Sequence, residues 1–157
     1  MIQRVYIDTS VIGGCLDQEF KKWSVELFSE FKNGTKIAVI SDITLDELEY
    51  APKKVQEIIK QIPSKFLEII ESNAETENLA EQYIFSGAVS GKFHQDALHI
   101  AIATYFNVTV LSSWNFKHIV NLDRIRKYNS VNLAQGFNIL EIRSPRDILK
   151  EDENENN

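Results

Sequence analysis

The chain of 157 residues is poor in cysteine, proline and glycine, of which it contains one, three and six. The single cysteine, Cys15, allows neither an intrachain disulfide nor a cysteine-rich zinc site. The few prolines and glycines exclude collagen-like and low-complexity chains. No apolar run approaches the roughly 18–20 residues that a membrane-spanning helix needs. Because 43% of the residues are hydrophobic, we expect one globular domain with a sizeable core and no membrane span.

The sequence also lacks the features of an exported protein. Residues 1–8 contain no basic segment followed by an apolar stretch, so we expect no secretory signal. A single cysteine fits a reducing compartment, which makes the cytoplasm the expected location. Cys15 itself lies between Gly14 and Leu16, and we expect it to be buried rather than reactive.

The chain has a modest acidic charge that is unevenly distributed. It contains 17 basic and 23 acidic residues, for a net charge of −6. Four of the acidic residues lie in residues 151–157, which leaves residues 1–150 with 19 acidic and 17 basic residues, a net charge of −2. We therefore predict a domain at 1–150 followed by an acidic disordered tail at 151–157. With no broad cationic surface, any contact with nucleic acid must be local or assisted by a metal.

Short apolar segments alternate with amphipathic ones along the chain, which predicts alternating strands and helices. Because the strands are apolar on both faces, we expect a parallel sheet that is covered by helices on both sides. The sequence thus predicts a three-layer α/β/α domain. The predicted strands are 2–7, 36–40, 65–70, 108–111 and 137–142. The predicted helices are 21–32, 43–50, 52–61, 75–90, 95–106, 116–127 and 145–150.

Polar side chains stand near the carboxyl ends of these strands, where open α/β sheets form their sites. Asp8 follows the first strand, and Glu47 lies in the helix after the second. Asp96 begins a helix that is apolar almost all round, and Asn115 follows the fourth strand. The predicted topology brings these four residues to one edge of the sheet.

Each of the four also has a purely structural interpretation. Asp8 and Asp96 could cap helices, Glu47 could close a capping box with Thr44, and Asn115 could be an ordinary turn residue. Three converging carboxylates would, however, repel one another and raise one another's pKa. A hard divalent cation such as Mg²⁺ or Mn²⁺, which prefers oxygen ligands, would relieve that repulsion.

Several other chemistries find little support. The sequence has no Walker-type glycine loop, no dinucleotide fingerprint and no Gly-x-Ser-x-Gly elbow. A zinc site built from His94, Asp96 and His99 is an alternative, but position 94 does not share the helix face of 96 and 99. We expect His99 to be a packing residue. His118, which follows the Asn115 turn, is a candidate contact for substrate.

Four motifs together resemble the PIN-domain family in order and spacing, over about residues 2–148. PIN domains are α/β/α nucleases with a central parallel sheet, and many small bacterial and archaeal members are toxins of VapBC-type toxin–antitoxin pairs. The resemblance implies an endoribonuclease that hydrolyses RNA phosphodiester bonds with Mg²⁺ or Mn²⁺. The motifs are Tyr6-Ile-Asp8-Thr-Ser10-Val, Ile43-Thr-Leu-Asp-Glu47-Leu, Asp96-Ala-Leu-His99-Ile-Ala and Leu111-Ser-Ser113-Trp-Asn115-Phe.

The resemblance also implies a role for each matching residue. Asp8 and Asp96 match the metal-binding aspartates of the family, and Glu47 matches its acidic residue on the helix after the second strand. Ser10 and Ser113 match hydroxyl positions beside the first and the fourth acid. The expected catalytic set is therefore Asp8, Glu47, Asp96 and Asn115, with Ser10, Ser113 and His118 around it.

The fourth acidic position departs from the family pattern, because Asn115 stands where an aspartate is common. An amide still offers a carbonyl oxygen and N–H donors, but one negative charge is lost. A single-metal site, an altered metal preference and reduced activity all stay open. A binding module that keeps the fold without turnover is therefore the alternative to a nuclease. A receiver-like phosphoacceptor domain is disfavoured, because Asp8 has no acidic neighbour.

The resemblance implies partners as well. Because the basic surface is weak, single-stranded or loop RNA is expected rather than duplex. If the chain is a toxin, a small antitoxin protein should bind it and cover the site. Self-association is common in the family, so a homodimer is a further expectation.

Overall fold

The computed structural model describes all 157 residues as an alternation of strands and helices, as the sequence predicts. Two short 3-10 turns, Ser64–Phe66 and Gly91–Phe93, complete it. The strands are β1 (Arg4–Ile7), β2 (Ile37–Ser41), β3 (Leu67–Ile70), β4 (Val110–Ser112) and β5 (Ile142–Arg143). The helices are α1 (Thr9–Gly14), α2 (Lys21–Asn33), α3 (Asp42–Glu49), α4 (Lys53–Ile59), α5 (Ala74–Phe85), α6 (His94–Tyr105), α7 (Leu122–Ala134) and α8 (Pro145–Glu155).

The five strands form one sheet in the order β3-β2-β1-β4-β5, and every neighbouring pair is parallel. In the centre, Val5 of β1 pairs with Ala38 of β2 and Val110 of β4. From β1 the chain proceeds outward through β2 to β3, and it then returns to the other side of β1 to form β4. The direction of winding thus changes between β1 and β4, which is where open α/β sheets form their ligand crevices.

Two apolar cores lie on opposite faces of the sheet, because successive side chains of a strand point to opposite faces. Tyr6 belongs to the core beneath α5, α6 and α7, whereas Val5 and Ile7 belong to the core beneath α1, α2, α4 and α8. The predicted three-layer α/β/α architecture is confirmed. In this arrangement the central strand β1 is buried on both faces, and the residue that follows it is held rigidly.

Helix α6 is the most buried of the helices beside the candidate site. Its residues from Ala97 to Thr104 are all buried, as expected from a sequence that is apolar almost all round. The helix has 12 residues. None of the helices has both the length and the apolar character needed to cross a membrane.

Several predicted elements have other bounds in the structure. Strand β5 has only two residues, Ile142–Arg143, and overlaps the predicted range 137–142 only at its last residue. Helix α5 ends at Phe85 rather than at 90. Helix α7 begins at Leu122 rather than at 116, because the side chain of Asn121 accepts a hydrogen bond from Arg124 N–H at 3.2 Å and caps the helix there. Residues 115–121 therefore form a loop beside the end of β4.

The C-terminal helix α8 continues to Glu155, into the stretch where we expect a disordered tail. The difference has a physical cause in Lys36, which is only 4% exposed. Its Nζ lies 2.7 Å from Glu30 and 2.5 Å from Asp152. A buried ammonium group needs carboxylate partners, and α8 supplies one of them.

Candidate active site

Asp8 stands directly after β1, at the switch point of the sheet. Its backbone is extended, and its Oδ1 accepts a hydrogen bond from Val11 N–H at 3.3 Å, so it caps α1. The same carboxylate accepts hydrogen bonds from the hydroxyls of Ser10 and Ser113, both at 2.6 Å. Asp8 is thus a helix cap. It also connects the carboxyl ends of β1 and β4 through its hydrogen bond with Ser113.

Glu47 lies on α3 and takes part in a chain of polar contacts that connects helices with the central strands. Its carboxylate accepts a hydrogen bond from the Thr9 hydroxyl and lies 2.7 Å from Nε2 of His99. On the other side of that ring, Nδ1 lies 2.6 Å from the hydroxyl of Tyr6, which is 2.7 Å from Ser41 Oγ. The chain connects α3, α1, α6 and β1 around one buried imidazole.

The N-terminal cap of α3 does not involve Glu47. Ser41 is the N-cap, and its side chain and that of Thr44 bond reciprocally to each other's backbone N–H. The interpretation of Glu47 as part of a capping box with Thr44 is therefore wrong. The Glu47 carboxylate is available for contacts with α1 and α6, while its neighbours Asp46 and Glu49 are exposed.

Asp96 lies in the first turn of α6 and faces Asn115 in the loop after β4. The Asn115 Oδ1 accepts hydrogen bonds from the backbone N–H groups of Lys117 and His118, at 3.1 and 2.9 Å. Its Nδ2 therefore points the other way and lies 3.4 Å from Oδ2 of Asp96. At the position where the PIN pattern has an acid, this chain presents an N–H donor to Asp96.

The pKa shifts indicate that the three carboxylates share one electrostatic environment. Burial and the charges of Asp8 and Glu47 raise the pKa of Asp96 to about 6, although His99 and Asn115 act in the opposite direction. Burial likewise raises the pKa of Asp8, against the charge of His99 and the hydrogen bonds from its two serine partners. Placing all these charges together therefore costs free energy in the absence of a cation.

Glu47 and His99 behave as an ion pair. Partial burial would raise the pKa of Glu47, but its contacts with His99 and Thr9 outweigh that effect and lower it. Burial would lower the pKa of His99, yet contacts with Tyr6 and Glu47 and the charge of Asp8 raise it well above its usual value. The imidazolium is therefore a positive charge that the protein itself supplies to the acidic site.

The carboxylates suit a hard divalent cation, since carboxylate oxygens are among its usual ligands. No group of three His, Cys, Asp or Glu side chains is arranged to hold a metal ion. Glu47 is paired with the charged His99, whereas the hydrogen bonds of Asp8 and Asp96 come from neutral donors, which leaves these two as the carboxylates that could hold a cation. Two carboxylates with several retained waters are a common arrangement for Mg²⁺, so the residues fit one such ion.

His118 is placed differently from the other predicted site residues. Its ring stacks on Phe93, with centroids 3.6 Å apart, and its buried Nδ1 has no hydrogen-bond partner. Burial and the nearby charges of Arg124 and Lys117 lower its pKa. Its backbone N–H donates to Asn115 Oδ1 at the edge of the site, and a contact of its side chain with substrate stays a prediction.

The zinc alternative is not assembled in the structure. His94 lies near the surface, where its Nε2 is 3.3 and 3.4 Å from Glu77 and Glu81 of α5. His99 points the other way, into the buried chain of contacts with Glu47. Asp96 therefore shares a site with His99 but not with His94.

Two residues of the site are not predicted as such from the sequence. The sequence indicates no role for Thr9 and predicts that His99 is a packing residue. Only the spacing of Asp96 and His99, three residues apart on one helix face, could have placed His99 beside the site. Nothing in the sequence alone indicates that Thr9 rather than a backbone group would hold Glu47.

Comparison with known proteins finds similarity in structure but not in sequence. No model of a known protein family matches the chain, and no curated protein matches it significantly. Among solved structures, it is similar to VapC20 of Mycobacterium tuberculosis, described as a toxin that cleaves the sarcin–ricin loop. That match has a TM-score of 0.56 and 11% identity, and it covers 85% of this chain and 95% of the other.

Two complexes show the same likeness. VapBC2 from Rickettsia felis, bound to a DNA fragment from its promoter, gives a TM-score of 0.55 and 20% identity over 90% of this chain and 98% of the other. FitAcB from Neisseria gonorrhoeae gives a TM-score of 0.57 and 14% identity over 90% and 97%. At these identities the likeness concerns the fold. The resemblance to the PIN-domain family is confirmed at that level, and this chain has the fold of the VapC-type PIN domains.

Proposed function

We propose that this chain is a metal-dependent endoribonuclease that hydrolyses phosphodiester bonds in single-stranded RNA. The observation that carries the proposal is the convergence of Asp8, Glu47 and Asp96 at the switch point of a VapC-type fold. Each comes from a different element, and the charges of the other two raise the pKa of Asp96. An arrangement that is electrostatically unfavourable by itself is typical of a site that binds a cation.

In this proposal Asp8 and Asp96 hold one Mg²⁺ or Mn²⁺. Such an ion, when bound, supplies positive charge for the phosphodiester and lowers the pKa of water. The chain contributes orientation, because the hydroxyls of Ser10 and Ser113 fix both oxygens of Asp8. Asn115 contributes an N–H donor beside Asp96.

We assign Glu47 an electrostatic role rather than a role in proton transfer. A carboxylate whose pKa is lowered is a poor proton acceptor near neutral pH, and the pKa of Glu47 is lowered. Its partner His99 holds a proton at Nε2, between the ring and the Glu47 carboxylate. Glu47 therefore stays ionised and adds negative charge to the site, while the positive charge of His99 limits the net negative charge.

We further propose that the chain is the toxin of a toxin–antitoxin pair and binds a small antitoxin. This is supported by its structural likeness to VapC20, VapBC2 and FitAcB. Homodimer formation is part of the same proposal. The alternative function, a binding module without turnover, is favoured by Asn115, which directs an N–H rather than an oxygen towards Asp96.

The test is cleavage of a labelled, mixed-sequence single-stranded RNA in Mg²⁺, in Mn²⁺ and in EDTA. We expect cleavage with metal only, and a loss of at least about 100-fold in Asp8→Asn, since one ligand of the ion is removed. The exposed neighbours of Glu47 give matched controls. Asp46→Asn, the control for Asp8→Asn, should cleave like the parent. Glu47→Gln should be impaired, whereas its control Glu49→Gln should cleave like the parent. Equal cleavage by the parent and Asp8→Asn would contradict the proposal.

Asn115→Asp separates the nuclease from the binding module. This variant restores the fourth acid of the PIN pattern. If the parent binds RNA without cutting it and Asn115→Asp cuts, the natural chain is a binding module. If both cut, Asn115 is compatible with turnover.

A further inference from the structure

Four aromatic side chains surround a cavity of about 290 Å³ on the α2 and α8 side of the molecule. We call it the aromatic cleft. None of its lining side chains is aliphatic. The aromatic members are Phe20, Trp23, Trp114 and Phe116, and the remaining lining residues are Glu19, Ser144, Arg146 and Asp147.

Trp114 forms a fixed base for the cleft. Its ring stacks on Phe20, with centroids 4.2 Å apart and an angle of 14° between the planes. Its Nε1–H donates to Ser24 Oγ at 2.9 Å. Gly14 packs so closely beneath it that a Cβ there would lie 2.7 Å from Nε1. Trp114 is only 7% exposed, so it supports the partly exposed rings of Phe20 and Phe116, and a rigid support lowers the entropy cost of binding a ligand on them.

The aromatic cleft adjoins the loop that carries part of the candidate active site, because Trp114 and Phe116 of that loop line the cleft. Trp114 lies between Ser113 and Asn115 in the sequence, and its backbone N–H donates to Ser10 Oγ at 2.9 Å. That hydroxyl in turn donates to Asp8 at 2.6 Å. One side chain, that of Ser10, thus connects the backbone of Trp114 to the carboxylate that we propose as a metal ligand.

The chemistry of the lining suits a flat, uncharged ring. Phe116 is 50% exposed, so its ring is accessible to a ligand. The Arg146 guanidinium lies 5.3 Å from the centre of the Trp23 ring and offers a further planar surface. The charge of Arg146 is offset by the carboxylates of Glu19 and Asp147, so the cleft has no excess positive charge for a phosphate.

We propose that the aromatic cleft binds the base of an unpaired RNA nucleotide that flanks the scissile phosphate. Aromatic surfaces next to a phosphodiester site are how proteins hold single-stranded nucleic acid with little dependence on sequence. The inference rests on the proposed ribonuclease function and specifies how that site would hold its substrate.

The chain contains two tryptophans, Trp23 and Trp114, and both line the cleft. Tryptophan emission therefore reports on this cavity. We would titrate the parent protein in EDTA, so that no metal-dependent cleavage occurs, with a short single-stranded RNA and with an abasic RNA of equal length. Binding would be followed in parallel by the anisotropy of a label on the RNA. We expect saturable quenching by the RNA with bases and none by the abasic one.

Phe116→Ala tests the exposed surface of the cleft. Loss of one stacking side chain should weaken binding of the RNA about tenfold, whereas Phe116→Trp should retain it. Phe85→Ala is the matched control, since Phe85 is 89% exposed on α5 and lies outside the cleft. It should bind like the parent. Thermal unfolding of each variant would show that the fold is intact.

The outcomes distinguish this inference from the function on which it rests. If anisotropy shows that the RNA binds but its bases do not quench the tryptophan emission, the inference is overturned. It is also overturned if the emission changes with protein concentration alone, because that would indicate contact between copies of the chain. Quenching without any metal-dependent cleavage keeps the base site and overturns the nuclease. If no RNA binds and none is cleaved, both proposals fail.

Discussion

Among single residues, Asp96 links the candidate site most directly to stability. Its pKa is about 6 in the folded chain, against an ordinary value of 3.8. Between these values the folded state keeps a proton that the unfolded state has lost, so stability falls as the pH rises through this range. The contribution of protonated Asp96 to the stability of the folded state is fully present below about pH 4 and is lost above about pH 6.

We therefore expect Asp96→Asn to be more stable than the parent at pH 7 in EDTA. Because Asp96 is only partly buried, we expect a gain of about 1–2 kcal/mol that disappears towards pH 4. Urea unfolding from pH 4 to 8 measures it, and Asp46→Asn is the exposed control. Added Mg²⁺ should stabilise the parent more than the variant. An Asp96→Asn protein that is less stable at pH 7 would contradict the pKa shift.

The pair formed by Glu47 and His99 gives a second residue-level prediction. His99→Leu removes the cation and leaves the Glu47 carboxylate without its buried partner, which should cost about 2–4 kcal/mol. Glu47→Gln in the same background should recover part of that loss, because it removes the unpaired charge. Chemical unfolding of the two single variants and the double variant measures the coupling free energy. Additive effects would show that the two groups do not interact.

At this scale, strand ends and spacing predict most of the candidate site but not the partners of its residues. Asp8 and Ser113 are predictable because parallel strands end at the same edge of a sheet. His99 is not, because an almost wholly apolar helix makes any residue within it look like core. Its polar role arises from Tyr6 and Glu47, which approach from elements far away in the sequence.

At the scale of elements, the contact between α1 and Trp114 depends on one glycine. A Cβ on Gly14 would lie 2.5 Å from Ser24 Oγ and 2.7 Å from Trp114 Nε1, whereas one on Gly13 would have no neighbour within 4 Å. Gly14→Ala should therefore destabilise the chain by about 1–3 kcal/mol through overpacking.

Gly13→Ala, in the same helix, should be neutral or stabilising by up to about 1 kcal/mol, because alanine favours helix. Thermal unfolding with tryptophan emission compares the two variants. Similar effects on stability would mean that α1 can move away from Trp114, and that the base of the aromatic cleft is not fixed by this contact.

The bounds of an element are predictable from the sequence where the apolar pattern determines them. They are less predictable where a single polar contact determines them. Helix α6 follows from its apolar sequence. The start of α7 depends on a cap at Asn121, and the length of α8 depends on the ion pair between Asp152 and Lys36. A window of sequence contains no information about a buried lysine that lies more than a hundred residues away.

For the molecule as a whole, charge predicts a weak dependence of RNA binding on salt. The chain has 17 basic and 23 acidic residues, so few phosphates can be neutralised. For single strands the slope of log K against log salt is about −0.7 per neutralised phosphate. With two or three such contacts we expect a slope no steeper than about −2 in EDTA, from binding titrations at 50–300 mM salt. A slope beyond about −4 would reveal a cationic face.

The hydrogen bond between Ser113 and Asp8 joins residues 105 positions apart. Because the central strands β1 and β4 pair across this separation, the site has no local precursor within the chain. During synthesis at roughly 5–20 residues per second, Asp8 is made about 5–20 seconds before its partner. The nuclease that we propose therefore has no complete site on the ribosome until Ser113 has been translated, so the earlier nascent chain would be harmless to nearby RNA.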